Sequence, residues 1–296
     1  MSPDMEGPQT KHTVLFFVLA FVISWAAWAP LVIFPDRAER LDFLLMVGAY
    51  GPLLAAVITS LVYGGWRGLW RWLKRIFRWR LPVKWYLVAI FINFVFVAAH
   101  LGLYLLLGGK LAIATDLDRP WYAYPIIFPL VVLLSWPFGS GLGEEAGWRG
   151  FALPGLLQRF SPLTASVILG VLWGLWHIPP LFFMSSWDGS AQSFLLFIYV
   201  IPLSILMTWV YCGSRGSALT SMLMHTGGNI YSTWLGTVLV FDTVLVGAVE
   251  PDFTILKTVY YTLIAAVVLI ATRGRLGYPS EKRAKHLDEV RQGAVA

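Results

Sequence analysis

The chain contains one cysteine in 296 residues, and only 13% of its residues are charged. A single cysteine, Cys212, excludes an intramolecular disulfide and any metal cluster that needs several cysteines. Cys212 lies in the apolar run Met-Thr-Trp-Val-Tyr-Cys-Gly, without the electropositive surroundings that activate a thiol, so we do not expect a cysteine nucleophile. Internal repeats and low-complexity stretches are also lacking, which argues against the paired halves typical of transporters.

Hydrophobic residues dominate instead, at 58% of the chain. Several apolar runs are long enough to cross about 30 Å of hydrocarbon as helices. The sequence therefore predicts an all-α, polytopic transmembrane helical bundle of about eight spans, with a cavity between helices. The predicted spans are 12–34, 42–63, 84–108, 122–143, 162–184, 193–213, 217–241 and 253–272. They make one membrane domain, 12–272, between an N-terminal tail, 1–11, and a basic C-terminal tail, 273–296.

The first apolar segment could be mistaken for a signal peptide. Lys11 precedes it, and Ala27-Trp28-Ala29 imitates a cleavage site. Its apolar run is longer than that of a signal peptide, so we interpret it as a retained span.

The positive charges predict the orientation of these spans. Of the 22 Lys and Arg residues, the alternate loops hold only Arg37, Arg40, Lys110, Arg119 and Lys257. The remaining basic residues lie on the side of the termini, which are therefore predicted to be cytoplasmic. A net charge of +6 could suggest nucleic acid. Because the charges fall between spans, we expect membrane lipid with anionic headgroups as the partner, and no nucleic acid.

Basic residues recur at helical spacing between the second and third spans, from Arg67 to Arg78, and Pro82 ends the pattern. Apolar residues are expected to fill the other face: Trp66, Leu69, Trp70, Leu73, Ile76 and Phe77. This pattern predicts an amphipathic helix in the inner headgroup layer. It could serve only as a topology anchor, or it could also grip acidic or lipid-modified substrates.

Two adjacent acids stand out in this apolar chain, in Glu-Glu-Ala-Gly-Trp-Arg at 144–149. A mid-helix acid in a bilayer costs roughly 2.5–3.5 kcal/mol, so such acids point to a functional site. Glu145 and Arg149 are one helical turn apart and predict a structural ion pair. Glu144 is rotated by about 100° and is predicted to face elsewhere, free to act as a general base on water. Alternatively, all three form only a charge cluster at the cytoplasmic edge.

Two further segments supply imidazoles and an amide. His177 ends Trp-Gly-Leu-Trp-His and is followed by Pro179-Pro180, which should bend the backbone beside it. His225 and Asn229 are one helical turn apart, and their side chains are donors suited to an oxyanion. A lone histidine is usually a packing residue, but the three motifs together form a hydrolytic constellation. The other histidines, His12, His100 and His286, have no partner motif and are not expected in the site.

These motifs resemble those of the CPBP, or Abi, family of intramembrane endopeptidases, the type II CAAX prenyl protease-like proteins. The family's signatures are Glu-Glu-x-x-x-Arg, Phe-x-x-x-His and His-x-x-x-Asn or Asp, and the match covers about 120–240. Trp173 stands where the family has Phe, which bears on the shape of the pocket.

The resemblance implies an eight-span fold in which Glu144 and His177 activate water while His225 and Asn229 stabilise the oxyanion. It implies no cofactor, and a membrane-anchored, prenylated protein as the substrate. The compact chain looks prokaryotic, which predicts a place in the cell membrane.

Other functions remain open at this point. Glu144, His177 and His225 could hold zinc as an intramembrane metalloprotease, although His-Glu-x-x-His is absent. Ser140, flanked by glycines, could be a nucleophile with His177 or His225 as its base. A transporter could use the buried acids to bind a proton or cation. A non-catalytic protein of the bacteriocin-immunity type could keep the motifs only as structure.

Overall fold

The computed structural model describes residues 10–106, 111–113, 120, 123–183, 191–241 and 253–279. The first nine residues, the tail 280–296 with His286, and the side chain of His100 lie outside this part of the chain. Helices make up nearly all of it, which confirms the predicted helical membrane fold. The helices are α1 Thr10–Ile33, α2 Ala38–Leu41, α3 Phe43–Ala49, α4 Gly51–Ile76, α5 Val83–Leu106, α6 Tyr124–Ser135, α7 Ser140–Gly147, α8 Leu153–Leu156, α9 Pro162–Trp176, α10 Ile178–Phe183, α11 Ala191–Gly213, α12 Ala218–Val238 and α13 Phe253–Ala271.

A short β-ribbon, which the sequence did not predict, joins β1 Leu111–Ile113 to β2 Leu239–Phe241 in antiparallel register.

Three stretches within the described residues are long and apolar enough to cross a membrane. They are Thr10–Ile33, Phe43–Ile76 and Pro162–Pro180. The first is the segment that could have been mistaken for a signal peptide. The described parts of three further helices, Val83–Phe96, Phe197–Gly213 and Thr258–Ala271, are apolar but shorter. Each predicted apolar segment thus contains helix, but the span predicted at 217–241 ends in strand β2, Leu239–Phe241. The count of eight spans stays a prediction.

The span predicted at 122–143 is broken rather than continuous. Ile126–Phe138 and Ser140–Leu156 meet at an angle of 62°. Gly139 between them is extended, with φ −118° and ψ −172°. Pro137 just before it lacks the N–H that would continue a regular helix. The acidic pair therefore lies on a separate short helix, α7, and not at the end of a straight span.

Glycines let α7 lie close to its neighbours. A Cβ on Gly143 would lie 2.8 Å from the carbonyl oxygen of Ala49, and one on Gly147 would lie 2.5 Å from that of Pro52. On the other side of α7, a Cβ on Gly141 would meet the Thr226 hydroxyl at 2.2 Å. Helix α7 is thus wedged between the α3–α4 region and α12, which brings the motifs of α7 and α12 together.

The predicted amphipathic helix is the second limb of α4. It begins after a break at Gly65, where φ is 54° and ψ is −154°. Leu69, Trp72 and Ile76 are buried, as expected of an apolar face. Two details were not predicted. Trp66 and Trp70 lie on the exposed side, among the basic residues, and Arg75 is buried. The helix packs against protein, and this contact determines which side chains are covered.

Candidate active site

The acidic motif is buried at the end of α7. Glu144 is 4% exposed, and Glu145 and Arg149 are fully buried. Arg149 Nη1 lies 2.9 Å from Glu145 Oε1, in the ion pair that their spacing suggests. Helix α7 passes at once into a π-helical turn, Trp148–Ala152, a distortion often found at functional sites. Because the ion pair is fully buried, it fixes the Glu145 carboxylate relative to this turn.

The end of α9 supplies two side chains to Glu144. Trp173 donates its indole N–H to Glu144 Oε2 at 2.7 Å. His177, in the turn between α9 and α10, has its Nε2 atom 4.0 Å from the same oxygen. The Nδ1 atom of His177 lies 2.8 Å from the carbonyl oxygen of Trp173. A carbonyl oxygen only accepts, so this contact assigns the proton to Nδ1 and leaves Nε2 facing the carboxylate.

His225 on α12 lies between the two carboxylates. Its Nε2 is 3.9 Å from Glu144 Oε1, and its Nδ1 is 2.9 Å from Glu145 Oε1. The other neighbours of the two carboxylates differ, with Trp173 and His177 at Glu144 and Arg149 at Glu145. The sequence did not predict that one imidazole lies between them. Glu144 and Glu145 are rotated from each other on the helix, but the two nitrogens of the His225 ring point in different directions. One therefore faces each carboxylate. Glu145 thus binds His225 as well as Arg149.

Asn229 lies one turn further along α12 and is exposed. Its Nδ2 donates to the Ser140 hydroxyl at 2.7 Å, and the same hydroxyl lies 3.4 Å from His225 Nε2. The structure therefore brings His225 and Asn229 together around the oxygen of Ser140. That oxygen lies where two donors can converge on one acceptor, as in an oxyanion hole.

Two contacts of the site were not predicted from the sequence. The aromatic position before His177 was expected to affect only the shape of the pocket. The indole N–H of Trp173 instead donates to Glu144. The Arg149 guanidinium lies over the Trp173 ring, 4.5 Å from its centroid. Ser140 was considered only as a nucleophile, whereas its hydroxyl joins the two polar side chains of α12. The only sequence signal for the contact between Trp173 and Glu144 was chemical: an indole N–H is a donor that a buried carboxylate can accept.

The histidine and glutamate side chains do not make a recognisable metal centre in the described part of the chain. No group of three or more His, Cys, Asp or Glu side chains there has an arrangement that could hold a metal ion. Zinc at Glu144, His177 and His225 stays a prediction that chelation tests. The distances of 3.9 and 4.0 Å from Glu144 to the histidine nitrogens exceed a direct hydrogen bond and suit a bridging water.

Comparison with known proteins shows what the site region resembles. Residues 125–231 match the family of Rce1-like type II CAAX prenyl endopeptidases. Through these residues, the chain is similar to the type II CAAX proteases of the CPBP family. The resemblance inferred from the three motifs is thereby confirmed.

A curated relative of this chain is the protein named CAAX prenyl protease 2 of Methanococcus maripaludis. The two are 26% identical over 179 residues, which are 49% of this chain and 62% of the relative. The match thus spans less than two thirds of the relative's length. The CPBP match at 125–231 includes every side chain of the candidate site, from Ser140 to Asn229. The amphipathic limb of α4 lies outside it.

Proposed function

We propose that this protein is an intramembrane endopeptidase of the CPBP type in which a buried carboxylate activates water. One observation carries the proposal. The Glu144 carboxylate is 4% exposed and has an imidazole Nε2 atom near each of its oxygens, at 3.9 Å and 4.0 Å. A water held between Glu144 and His177 would lie within reach of a base and beside two donors that face an oxyanion.

The proposed reaction uses these groups in order. Glu144 takes a proton from water as the water oxygen attacks the carbonyl carbon of the scissile peptide bond. The carbonyl oxygen becomes an oxyanion, to which Asn229 Nδ2 and His225 Nε2 donate. Donation by Nε2 requires that His225 carry protons on both nitrogens, since Nδ1–H faces Glu145. The C–N bond then breaks, and the leaving nitrogen receives the proton held by Glu144. Glu145 and Arg149 hold this arrangement without touching substrate.

For the substrate we propose a membrane-anchored protein with a prenylated C-terminus. The name of the Methanococcus maripaludis relative, CAAX prenyl protease 2, and the matching family of CAAX prenyl endopeptidases support this class. A site with its base among apolar helices also suits a chain that a lipid group holds at the membrane. The proposed setting is a cell membrane with both termini on the cytoplasmic side.

Mass spectrometry of cleaved peptides tests the proposal. Peptides with a C-terminal CAAX sequence, identical except for a farnesyl group on the cysteine, are incubated with the protein in liposomes. We expect one cut, releasing the last three residues, with a higher kcat/KM for the farnesylated peptide. Equal cleavage of both would overturn the prenyl preference. No cleavage of either would contradict endopeptidase activity on this class and favour a transporter or a non-catalytic protein.

A serine mechanism is the second candidate, because one contact chain favours it. Ser140 Oγ lies 3.4 Å from His225 Nε2, whose Nδ1 lies 2.9 Å from Glu145 Oε1. A serine, a histidine and an acid that contact one another in this order can activate the serine hydroxyl as a nucleophile. Glu144 would have no role in that reaction, although it lies within 4.0 Å of an Nε2 atom of both histidines.

Ser140→Ala separates the two mechanisms. If water is the nucleophile, we expect kcat/KM to fall by less than about tenfold, because the substitution removes one orienting hydrogen bond of Asn229. A nucleophilic serine predicts a loss of about 10³-fold or more. Labelling with a fluorophosphonate gives an independent result: stable labelling that disappears in Ser140→Ala would establish the serine mechanism.

Trp173→Phe tests the contact that the family's usual residue lacks. Phenylalanine keeps an aromatic ring beside Arg149 but removes the N–H bonded to Glu144 Oε2. We expect kcat to fall about tenfold with KM changed less than twofold, since hydrogen bonds to charged groups contribute about 1.5–3 kcal/mol. Trp28→Phe is the matched control, because it also removes an indole hydrogen bond, to the carbonyl oxygen of Leu45, outside the site. Equal kcat values for wild type and Trp173→Phe would remove Trp173 from the mechanism.

A further inference from the structure

The second limb of α4 carries a basic and aromatic surface. We define this surface by its exposed side chains Trp66, Arg67, Trp70, Arg71 and Lys74. Trp66 is 73% exposed and Trp70 is 54% exposed. The Lys74 ammonium lies over the Trp70 ring at 5.5 Å from its centroid. Cations interleaved with exposed indoles are typical of protein surfaces at the headgroup layer of a membrane.

The opposite side of the same limb contacts the segment that bears the acidic motif. Trp72 donates its indole N–H to the carbonyl oxygen of Ala146 at 3.0 Å. Arg75 Nη1 donates to the carbonyl oxygen of Gly150 at 3.2 Å. These two carbonyls lie on either side of Arg149 in the sequence. The limb therefore holds the backbone of the π-helical turn from which Arg149 reaches Glu145.

The chain after this limb also contacts the start of α12. Arg78 Nη1 donates to the carbonyl oxygen of Arg215 at 3.0 Å. In return, the Ser217 hydroxyl donates to the carbonyl oxygen of Arg78 at 2.8 Å. Helix α12 begins at Ala218 and carries His225. The same basic stretch is thus bonded to both segments that supply the candidate site, α7 with its π-helical turn and α12.

We propose that anionic lipid headgroups bind this basic and aromatic surface and thereby stabilise the arrangement of α7 and α12. Charge complementarity identifies the partner, since Arg67, Arg71 and Lys74 project from one exposed face. Indole rings beside them favour the membrane interface over a soluble acidic partner. When headgroups fix the limb, its bonds to Ala146 and Gly150, and the bond from Arg78 just after it to Arg215, hold the two segments in place. Lipid thus regulates the site in addition to surrounding the membrane-spanning helices.

The experiment compares phosphatidylglycerol with phosphatidylcholine for three proteins: wild type, Arg67→Gln/Arg71→Gln/Lys74→Gln, and Arg37→Gln/Arg40→Gln. The last variant is the control, because its exposed arginines lie away from the surface. Native mass spectrometry measures which lipid stays bound. Thermal unfolding is followed by thiol labelling of Cys212, which is buried and is the chain's single cysteine. Each cation near an anionic surface is worth on the order of fivefold in binding.

For wild type and control we expect retained phosphatidylglycerol and a higher unfolding temperature in its presence than in phosphatidylcholine. The triple variant should lose both effects and unfold as wild type does in phosphatidylcholine. No lipid preference in wild type, or the same preference in the triple variant, would overturn the proposal. Lipid binding without any change in unfolding temperature would overturn the coupling to α7 and α12.

Peptidase measurements in the same liposomes rest on the proposed function. We expect phosphatidylglycerol to raise kcat/KM several-fold in wild type and control, and not in the triple variant. If none of the three proteins cleaves peptide, the proposed function fails, and lipid retention and unfolding still decide whether the surface binds anionic lipid. If all three cleave equally well in both lipids, the site does not depend on this surface.

Discussion

Glu144→Gln is expected to lower kcat/KM by about 10²–10⁴-fold, the contribution typical of a general base. The carboxamide has nearly the same shape as the carboxylate but cannot take a proton from water. Its oxygen can still accept the indole N–H of Trp173, so the packing of α7 against α9 should persist. Steady-state cleavage of the farnesylated peptide in liposomes measures the loss.

Glu39→Gln is the matched control for this substitution, because Glu39 is exposed on α2, away from the site. The control should cleave as wild type does. Thermal unfolding of Glu144→Gln should also match wild type, so that lost activity does not reflect lost fold. If Glu144→Gln keeps activity within threefold of wild type, Glu144 is not the base.

Arg149→Met is expected to destabilise the protein by about 3–5 kcal/mol, the usual cost of removing one partner of a buried ion pair. Both partners are fully buried, and Glu145 would keep only His225 as a neighbour of opposite charge. Labelling of the buried thiol of Cys212 during heating measures the change. Activity should fall as well, since the same guanidinium lies over Trp173.

A control variant and a double variant test whether lost stability comes from the broken ion pair. Arg159→Met removes a charge from an exposed arginine and should unfold as wild type does. The double variant Arg149→Met/Glu145→Gln removes both charges and should recover part of the lost stability, because no uncompensated carboxylate remains buried. A single Arg149→Met variant as stable as wild type would mean that the ion pair does not hold the segment.

The fold follows from the sequence wherever long apolar runs decide the structure. Helix α1 coincides with the first predicted span because 24 consecutive residues contain one charge, Lys11. The break at Gly139 was missed because a sliding average of hydropathy does not respond to one proline and one glycine. The exposure of Trp66 and Trp70 was missed for another reason. Helical periodicity gives the faces of a helix, but the packing partner determines which of them is covered.

The candidate site was predictable as a set of residues but not as a network. Spacing along one helix indicates the pair of Glu145 and Arg149, because that contact is local. The bridge from Glu145 to His225 spans 80 residues of sequence, and no local pattern predicts it. The same is true of Trp173 and Glu144, where the contact depends on how α9 crosses α7. Tertiary contacts of this kind assign the second carboxylate a role that spacing alone did not suggest.

Chelation of the active protein tests the central claim, that a carboxylate and not a metal ion activates water. The wild-type protein is treated with 1,10-phenanthroline or EDTA, passed through a desalting column, and assayed for cleavage of the farnesylated peptide. The account predicts unchanged kcat/KM after treatment and after adding zinc. Activity that disappears with the chelator and returns with zinc would contradict it and place a metal ion among Glu144, His177 and His225.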